Sequence, residues 1–260
     1  MSHFSSASLT DGPRLFGPAD DPPIALDEGA LLLPGWAATE AQRWVAGVQA
    51  VVAQAPWRVM RTPGGGSCAP TLARGAWLAA APRGPSSALG RPGGAVMSVA
   101  TSNCGGWGWV SDASGYAYRA TDPLSGQPWP ALPDWLGDQA RAAAAAAGYP
   151  GFAPDACLIN RYAPGARMSL HRDENERDAS APIVSISLGL AATFLWGGLQ
   201  RSDRVRRMQL EHGDVLVWGG ASRMTYHGVS PLKDGQHPLL GSERWNLTFR
   251  MARALYLPGR

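Results

Sequence analysis

The sequence predicts a mostly β fold with flanking helices, a sandwich or jelly roll. Three observations carry that expectation. Short alternating or apolar runs separated by turn residues fill the C-terminal half. Two helical patterns stand ahead of most of them, so the helices should pack on one outer face of a pair of sheets. Gly 32 and Pro 22 together make about a fifth of the 260 residues, against a usual ~12%, so turns are abundant. A hydrophobic share of 45% supplies a sizeable core for one domain. The charged share of 17% and the net charge of +3 exclude a coiled coil and a highly charged disordered chain.

Residues 1–28 mix Ser, Pro, Asp and Gly without periodicity and read as a loose N-terminal tail, with one domain over 29–260. Ala30 to Leu33 is a short apolar run stopped by Pro34-Gly35. Thr39 is placed to cap a helix running to about Gln54, with Trp44, Val45, Val48, Val51 and Val52 on one stripe and Pro56 ending it. A Gly-, Pro- and Ala-rich insertion occupies about 63–91, flanked by the related tetrads Thr62-Pro63-Gly64-Gly65 and Arg91-Pro92-Gly93-Gly94; its low complexity favours disorder. Val96 to Ala100 reads as a strand, followed by a Gly-rich aromatic segment with Trp107, Trp109, Tyr116 and Tyr118. A second helix should cover Trp135 to Ala147, ended by Gly148. Strands are expected at Ala156–Tyr162, Ile183–Leu188, Thr193–Trp196, Arg206–Leu210, Val215–Trp218, Met224–His227 and Arg244–Met251.

Ile183 to Leu199 is uncharged, yet its Ser and Gly content and its IVSISL run read as buried strands; a spanning helix needs about 20 apolar residues. No apolar core follows Arg14 closely, so a signal peptide is not expected. Cys68, Cys104 and Cys157 are far apart and form no C-x-x-C pair, which argues against a zinc knuckle or a disulfide framework. A soluble chain in a reducing, cytoplasmic compartment is the expectation. Of the 23 basic residues only Lys233 is a lysine, a bias that codon usage in a GC-rich genome accounts for.

Chemistry enters at His171-Arg172-Asp173, an H-x-D placed in a polar loop after a strand, with His227 closing a later strand. Two His and one carboxylate make the facial triad of non-haem Fe(II) oxygenases, which leaves positions for a cosubstrate and dioxygen. In the last strand Arg244, Asn246, Thr248 and Arg250 alternate with Trp245, Leu247, Phe249 and Met251, so the polar four share one face. That face can meet solvent, but Arg forks bind carboxylates bidentately, and two arginines on one face also make a clamp for a dicarboxylate. Asn160 and Tyr162 share a face with Leu158 and can hydrogen-bond the same small anion. A metal triad with an arginine clamp points to 2-oxoglutarate, whose 2-oxo acid end chelates iron and whose far carboxylate needs a cation.

From Trp57 on, outside the insertion, the chain resembles the AlkB family of Fe(II)- and 2-oxoglutarate-dependent demethylases of alkylated nucleic-acid bases. The stretches that carry the resemblance are PGGAVMSVATSNCG, DACLINRYAPGARMSLHRD, APIVSISLGL, LEHGDVLVWGGASRMTYHGVSPL and RWNLTFR. The resemblance implies a double-stranded β-helix (jelly-roll) core. It puts the iron ligands on His171, Asp173 and His227, and the 2-oxoglutarate contacts on Asn160, Tyr162, Arg244, Asn246 and Arg250. Which arginine meets which carboxylate stays open. It puts a base-stacking role on Trp109, a nucleic-acid contact on Tyr116 and a substrate contact on Arg201. Two departures from the family matter, Asn175 and the Gly/Pro-rich insertion at about 63–91. Asn175 stands where the family carries an acid that accepts a hydrogen bond from the exocyclic amine of the base; Glu174 or Glu176 are the candidates to compensate. Thr101 replaces a methionine of the pocket wall, while Met97 is retained.

The implied activity is oxidative demethylation of N-alkylated bases of the 1-methyladenine and 3-methylcytosine type in DNA, with RNA left open. It uses Fe(II), 2-oxoglutarate and dioxygen and releases formaldehyde and succinate: a DNA alkylation repair reaction. The expected partner is nucleic acid, with single strands favoured because extruding a base then costs less. No membrane is expected, and the chain is expected to act as a monomer. The competing readings are a 2-oxoglutarate oxygenase of another substrate class, such as modified tRNA or protein, and a non-catalytic binder of alkylated nucleic acid.

Overall fold

A computed structural model describes residues 21–63, 94–112 and 115–253 of the protein. The elements among them are β1 (Ile24–Asp27), β2 (Ala30–Leu33), α1 (Ala41–Gln54), β3 (Arg58–Arg61), β4 (Val96–Gly105), β5 (Gly108–Asp112), β6 (Gly115–Arg119), α2 (Asp134–Ala146), β7 (Ala156–Tyr162), β8 (Met168–His171), β9 (Ile183–Gly189), β10 (Ala192–Trp196), β11 (Arg206–Leu210), β12 (Val215–Trp218), β13 (His227–Val229) and β14 (Arg244–Arg250). They form an eight-stranded sheet in the order β1-β2-β12-β9-β14-β7-β4-β3, a four-stranded sheet in the order β11-β10-β13-β8, and the separate hairpin β5-β6. The fold is mostly β with two helices, as the sequence predicts.

Both helices form because an apolar stripe at helical spacing has a sheet to cover. Trp44, Val48 and Val51 of α1 and Leu136, Ala140 and Ala143 of α2 are buried with Ile159, Val184, Ile186, Val217, Leu247 and Phe249 on the outer face of the large sheet. Trp44 is wholly buried, and its truncation to Ala would cost about 3–5 kcal/mol. α1 begins with Glu40 in the capping position and no side-chain cap, so the cap expected from Thr39 is not used. α2 follows Pro133 and ends where Gly148 takes φ +90°, a left-handed conformation that closes the last turn. The inner faces of the two sheets meet through a second core, with Leu32, Tyr162, Ile183, Phe194, Trp196 and Trp218.

Period two explains this division. In β9, Val184, Ile186 and Leu188 face the helices, while Ser185 and Ser187 turn inward. In β14, Trp245, Leu247 and Phe249 face the helices, and Arg244, Asn246, Thr248 and Arg250 line the inner cleft. Ile183 to Leu199 holds β9 and β10, and no helix among the described residues is long and apolar enough to cross a membrane. Cys104 and Cys157 are buried, free and paired across β4 and β7. Burial, followed by contact with Cys104, pushes the Cys157 thiol well up, which leaves it unreactive. Cys68 lies outside the described residues.

Several expectations need correction. The span assigned to a loose tail contains β1, which pairs with β2 as the edge of the large sheet. Its Ile24–Asp27 run is too short to show a period. The strand expected at Met224–His227 is shifted: a short helical turn at Gly220–Ser222 and the turn after it use the chain up to Tyr226, and pairing with β10 and β8 runs from His227 to Val229. His171 is the last residue of a strand, β8, rather than part of a loop; Asp173 lies in the loop beyond it. β3 was not anticipated; its Arg-Val-Met-Arg sequence leaves only Met60 buried. Residues 64–93, nearly all of the Gly/Pro-rich insertion, lie outside the described residues. Its roots do not: Thr62 N–H donates to Ala95 O at 2.9 Å, and both residues line the inner cleft.

Candidate active site

The inner cleft, of about 490 Å³, opens between the two sheets. On the small-sheet side, register pairing sets His171 of β8 directly opposite His227 of β13, and their rings lie 4.4 Å apart. Asp173, two residues beyond β8, brings its carboxylate to 3.8 Å from His171 Nε2 and 3.9 Å from His227 Nε2. The three ligand atoms lie within 4.8 Å of one another. Each imidazole is oriented from behind: His171 Nδ1 meets Ser169 O at 2.9 Å and His227 Nδ1 meets Thr225 O at 3.0 Å. A carbonyl only accepts, so Nδ1 carries the proton and Nε2 keeps its lone pair for a metal. Burial, then the His171 ring, pushes His227 down to about 4 against the pull of Asp173, so the imidazole is neutral at physiological pH. Burial would raise the Asp173 carboxyl, but Arg250 and the two imidazoles overcome it and hold it well below the usual carboxylate range.

Asp173 is itself held in place. Arg250, at the end of β14, donates to its Oδ2 from Nε at 3.2 Å and Nη2 at 2.8 Å. Behind that pair sits Glu176, whose side chain is 3% exposed. It accepts from Tyr118 Oη at 2.6 Å and from Arg223 Nη2 at 3.0 Å. Arg223 also donates to the backbone of Asp173 and Ala181, at 2.7 and 2.9 Å. One carboxylate oxygen of Asp173 is thereby occupied and the other is left for a metal. Sequence reasoning gave Tyr118 and Arg223 no role and considered Glu176 only as a substitute base contact. The structure rules that out, because Glu176 is used up beneath Asp173.

At the other end of β14 the cleft is differently built. Arg244 is 1% exposed. Its Nη2 donates to Ser187 Oγ at 3.0 Å, while Nε and Nη1 have no partner. Its guanidinium stands 5.1 Å from the Tyr162 ring. Asn160, Asn246 and Thr101 stand in one row across β7, β14 and β4, and Thr101 Oγ1 is also buried and unpaired. Unmet buried donors are costly, so an unpaired guanidinium fork beside the Tyr162 phenol is a site made for a carboxylate. The residues fit 2-oxoglutarate.

The hairpin contributes Trp109 and Tyr116 to the lining of the cleft. Gly105, with φ +108°, makes the sharp turn from β4, and a Cβ there would stand 2.5 Å from Asp155 O. Asn103 of β4 then fixes Trp109: its Oδ1 accepts from Trp109 N at 2.9 Å and its Nδ2 donates to Trp109 O at 3.1 Å. Trp109 and Tyr116, diagonal across the hairpin, stack at 5.2 Å and 16°. Trp109 Nε1 donates to Asn175 Oδ1 at 3.2 Å. Arg201 donates to Leu170 O at 2.7 Å and lines the same cleft, as do Met97, Trp109, Tyr116 and Asn175. Glu176 apart, every site residue expected from the sequence lines this one cleft.

Residues 73–250 match the model of the 2OG-Fe(II) oxygenase superfamily. The alpha-ketoglutarate-dependent dioxygenase AlkB of Salmonella typhimurium is 53% identical over 209 residues, covering 76% of this chain and 95% of that protein. The chain belongs to the AlkB family. The AlkB of Escherichia coli is 46% identical over 238 residues, covering 92% of this chain and 97% of its own length. The solved structure of OsALKBH1 superposes with a TM-score of 0.67 at 27% identity, covering 88% of this chain and 99% of that one. The protein is therefore a dioxygenase that uses Fe(II), 2-oxoglutarate and dioxygen, on a jelly-roll core.

Proposed function

We propose that this AlkB-family enzyme removes N-alkyl groups from the bases of nucleic acid, in DNA first, acting as a cytoplasmic monomer with single strands favoured. The observation that carries the proposal is the meeting, in one cleft, of the His171/Asp173/His227 cluster, the open Arg244 fork and the Trp109–Tyr116 platform. Curated relatives named as demethylases of DNA N6-methyladenine and of tRNA, from Arabidopsis thaliana and Schizosaccharomyces pombe, support nucleic acid as the substrate class.

In this reading His171, Asp173 and His227 hold the iron, and Arg244 and Tyr162 take a carboxylate of 2-oxoglutarate. Arg250 orients Asp173 and adds positive charge where the 2-oxo acid end would lie. Asn160 and Asn246 complete the polar wall. Iron with its cosubstrates supplies the oxidation of the N-alkyl carbon, after which the hydroxyalkyl group leaves as formaldehyde when the alkyl group is methyl. The Trp109–Tyr116 pair holds the extruded ring with its alkyl carbon facing the metal. Arg201 and Arg167, which both line the cleft, would attract phosphate. Trp218, set edge-on 5.0 Å from the His227 ring, and Phe194 keep water from that side.

The test is an aerobic assay with iron, 2-oxoglutarate and oligonucleotides carrying 1-methyladenine or 3-methylcytosine, scored for formaldehyde, succinate and the restored base. All three products should appear, and Trp109→Ala should cut base repair far more than uncoupled 2-oxoglutarate turnover. Succinate without any restored base would sink the nucleic-acid reading.

A further inference from the structure

Two histidines outside the metal cluster, His212 and His237, meet ring to ring, with centroids 4.3 Å apart and planes tilted by 39°. His212 lies in the turn between β11 and β12, and His237 in the loop between β13 and β14. Neither lines the cleft. Each spends its Nδ1 lone pair on the backbone. Gly189 N–H donates to His212 Nδ1 at 2.9 Å, and Leu239 N–H donates to His237 Nδ1 at 3.2 Å. A neutral imidazole has one acceptor nitrogen, so Nε2 carries the proton in both rings. The pair therefore offers a metal no lone pair. What it does offer is a backbone bond that a proton can break.

That bond holds the strand behind Arg244. Gly189 closes β9 with φ +88° and stands in register with Arg244, and a Cβ there would run into Glu243 O. Leu190 N–H donates to the same carbonyl at 3.0 Å. Two residues upstream, Ser187 Oγ accepts from Arg244 Nη2. Ser187 is in turn held by the His212 turn: its N–H donates to Asp214 O at 2.9 Å, and its carbonyl accepts from Gly213 N–H at 2.8 Å. Residues 212–214 thus fix Ser187 and Gly189 by three hydrogen bonds. Two of them join backbone groups and are indifferent to pH. The third, the one that reaches the residue beside Arg244, ends on an imidazole.

We propose that His212, with His237 stacked on it, is a positioning residue for the Arg244 carboxylate site, so that protonating it loosens the end of β9 and weakens 2-oxoglutarate binding. This rests on the reading of Arg244 as a 2-oxoglutarate contact. A protonated His212 turns an N–H toward Gly189 N–H, and two facing donors repel. A charge on His237 adds repulsion between the rings. Burial first, then His237, pushes His212 below the ordinary imidazole value, and burial does the same to His237. The bond is therefore whole above the unfolded value of about 6.5 and is lost as pH falls through the lower folded value. The other charged groups nearby are engaged or exposed. Asp214 accepts from the backbone N–H groups of Gly35 and Glu211. Glu243 accepts from Trp245 Nε1 and lies 3.7 Å from Arg161. Glu211, Lys233 and Asp234 are exposed. Among all of these, His237 is the charge that moves His212.

The experiment measures the 2-oxoglutarate Kd by calorimetry on protein saturated with Mn(II), between pH ~7.5 and ~5, for the native chain, His212→Ala, His212→Asn and Arg244→Met. Amide exchange at Gly189 is followed alongside. Asn places an oxygen where Nδ1 stands and does not titrate. At the upper pH, His212→Ala should weaken binding roughly 3- to 10-fold, the worth of one hydrogen bond, and speed exchange at Gly189, while His212→Asn should restore both. On acidification the native Kd should rise by about the same factor beyond that of His212→Asn. Titration of the metal ligands is common to both proteins and cancels in that ratio. The acid comparison needs only the native chain and His212→Asn, so it decides the matter even if His212→Ala folds poorly. Native and His212→Asn curves that run parallel, with Arg244→Met strongly weakened, overturn this proposal alone. An Arg244→Met protein that binds 2-oxoglutarate as tightly as the native chain overturns the Arg244 reading, and this proposal with it.

Discussion

The two ends of β14 carry the same residue on the same face and put it to opposite uses. Arg250 is bonded to Asp173 and Tyr118 and lies 3.5 Å from Glu176. Arg244 is equally buried but has an ion-pair partner nowhere among the described residues, and two of its nitrogens are unpaired. Burying a cation is unfavourable unless it is matched. At Arg250 the match is built into the chain, so that end belongs to the folded architecture of the metal cluster. At Arg244 the match is missing, so that end is prepared for a ligand carrying the charge. The two arginines that the sequence puts forward as a clamp are unevenly matched in the structure: Arg250, the brace, has ion-pair partners, and Arg244, the receptor, has none among the described residues.

The largest expected effect separates these two roles. Arg250→Met leaves Asp173 and Glu176 short of a buried partner, which should cost about 3–5 kcal/mol. At roughly 2–4 °C per kcal/mol for a chain of this size, the melting temperature should fall by on the order of 10 °C. Loss of an orienting partner should also weaken Mn(II) or Co(II) binding, measured by titration, about 10- to 100-fold. Arg244→Met should behave otherwise. Its melting temperature should hold or rise, because an unmatched buried charge is removed, while KM for 2-oxoglutarate rises on the order of 100-fold. Equal melting temperatures for the two variants would erase the distinction.

How far the site was legible in the sequence follows the same division. The inward face of β14, with its Arg, Asn, Thr and Arg at period two, was readable because a strand advertises its faces. So was the metal cluster, whose residues stand in stretches that carry the family resemblance. Ser187, which meets Arg244, had a signal in the alternation of the IVSISL run that was not used. The brace had none: Glu176 and Arg223 meet across 47 positions, and Tyr118 reaches Glu176 from a hairpin. Contacts between a loop, a hairpin and a turn leave no period to detect. β1 and β3 were missed for a related reason: four residues at a sheet edge, partly exposed, look like loop until their partner strand is in place.

A third arginine tests whether a brace can exist with no part in chemistry. Arg58 of β3 forms a fork with Asp122, whose Oδ2 accepts from Nη2 at 2.7 Å, outside the cleft lining. The Arg58 hydrogen bond, more than burial opposes it, holds the Asp122 carboxyl below its ordinary value. A depressed carboxyl pKa stabilises the fold above the unfolded value of about 3.9, and the gain is lost as pH falls through the lower folded value. Asp122→Asn should therefore cost about 1.5–3 kcal/mol at pH 7. The gap between variant and native melts should narrow as pH falls below ~4, with KM for 2-oxoglutarate unchanged. A gap that persists unchanged into acid would mean that the pair acts through shape and not charge.

The smallest effect probes how the brace reaches the hairpin. Tyr118 Oη donates to Glu176 Oε1 at 2.6 Å and accepts from Arg250 Nη1 at 3.3 Å. Burial first, with Glu176 and Asp173 adding to it against Arg250, keeps this phenol well above its ordinary pKa, so it stays a donor. Tyr118→Phe removes the hydroxyl and keeps the ring, while Arg223 still holds Glu176. The net loss should be about 1 kcal/mol, a melting-temperature drop of roughly 2–4 °C. If Arg250 is the brace and Arg244 the receptor, this loss should leave KM for 2-oxoglutarate where it was and appear as a modest weakening of Mn(II) binding. A rise in KM for 2-oxoglutarate comparable to that of Arg244→Met would show that the two ends of β14 are coupled, and the division between them would have to be abandoned.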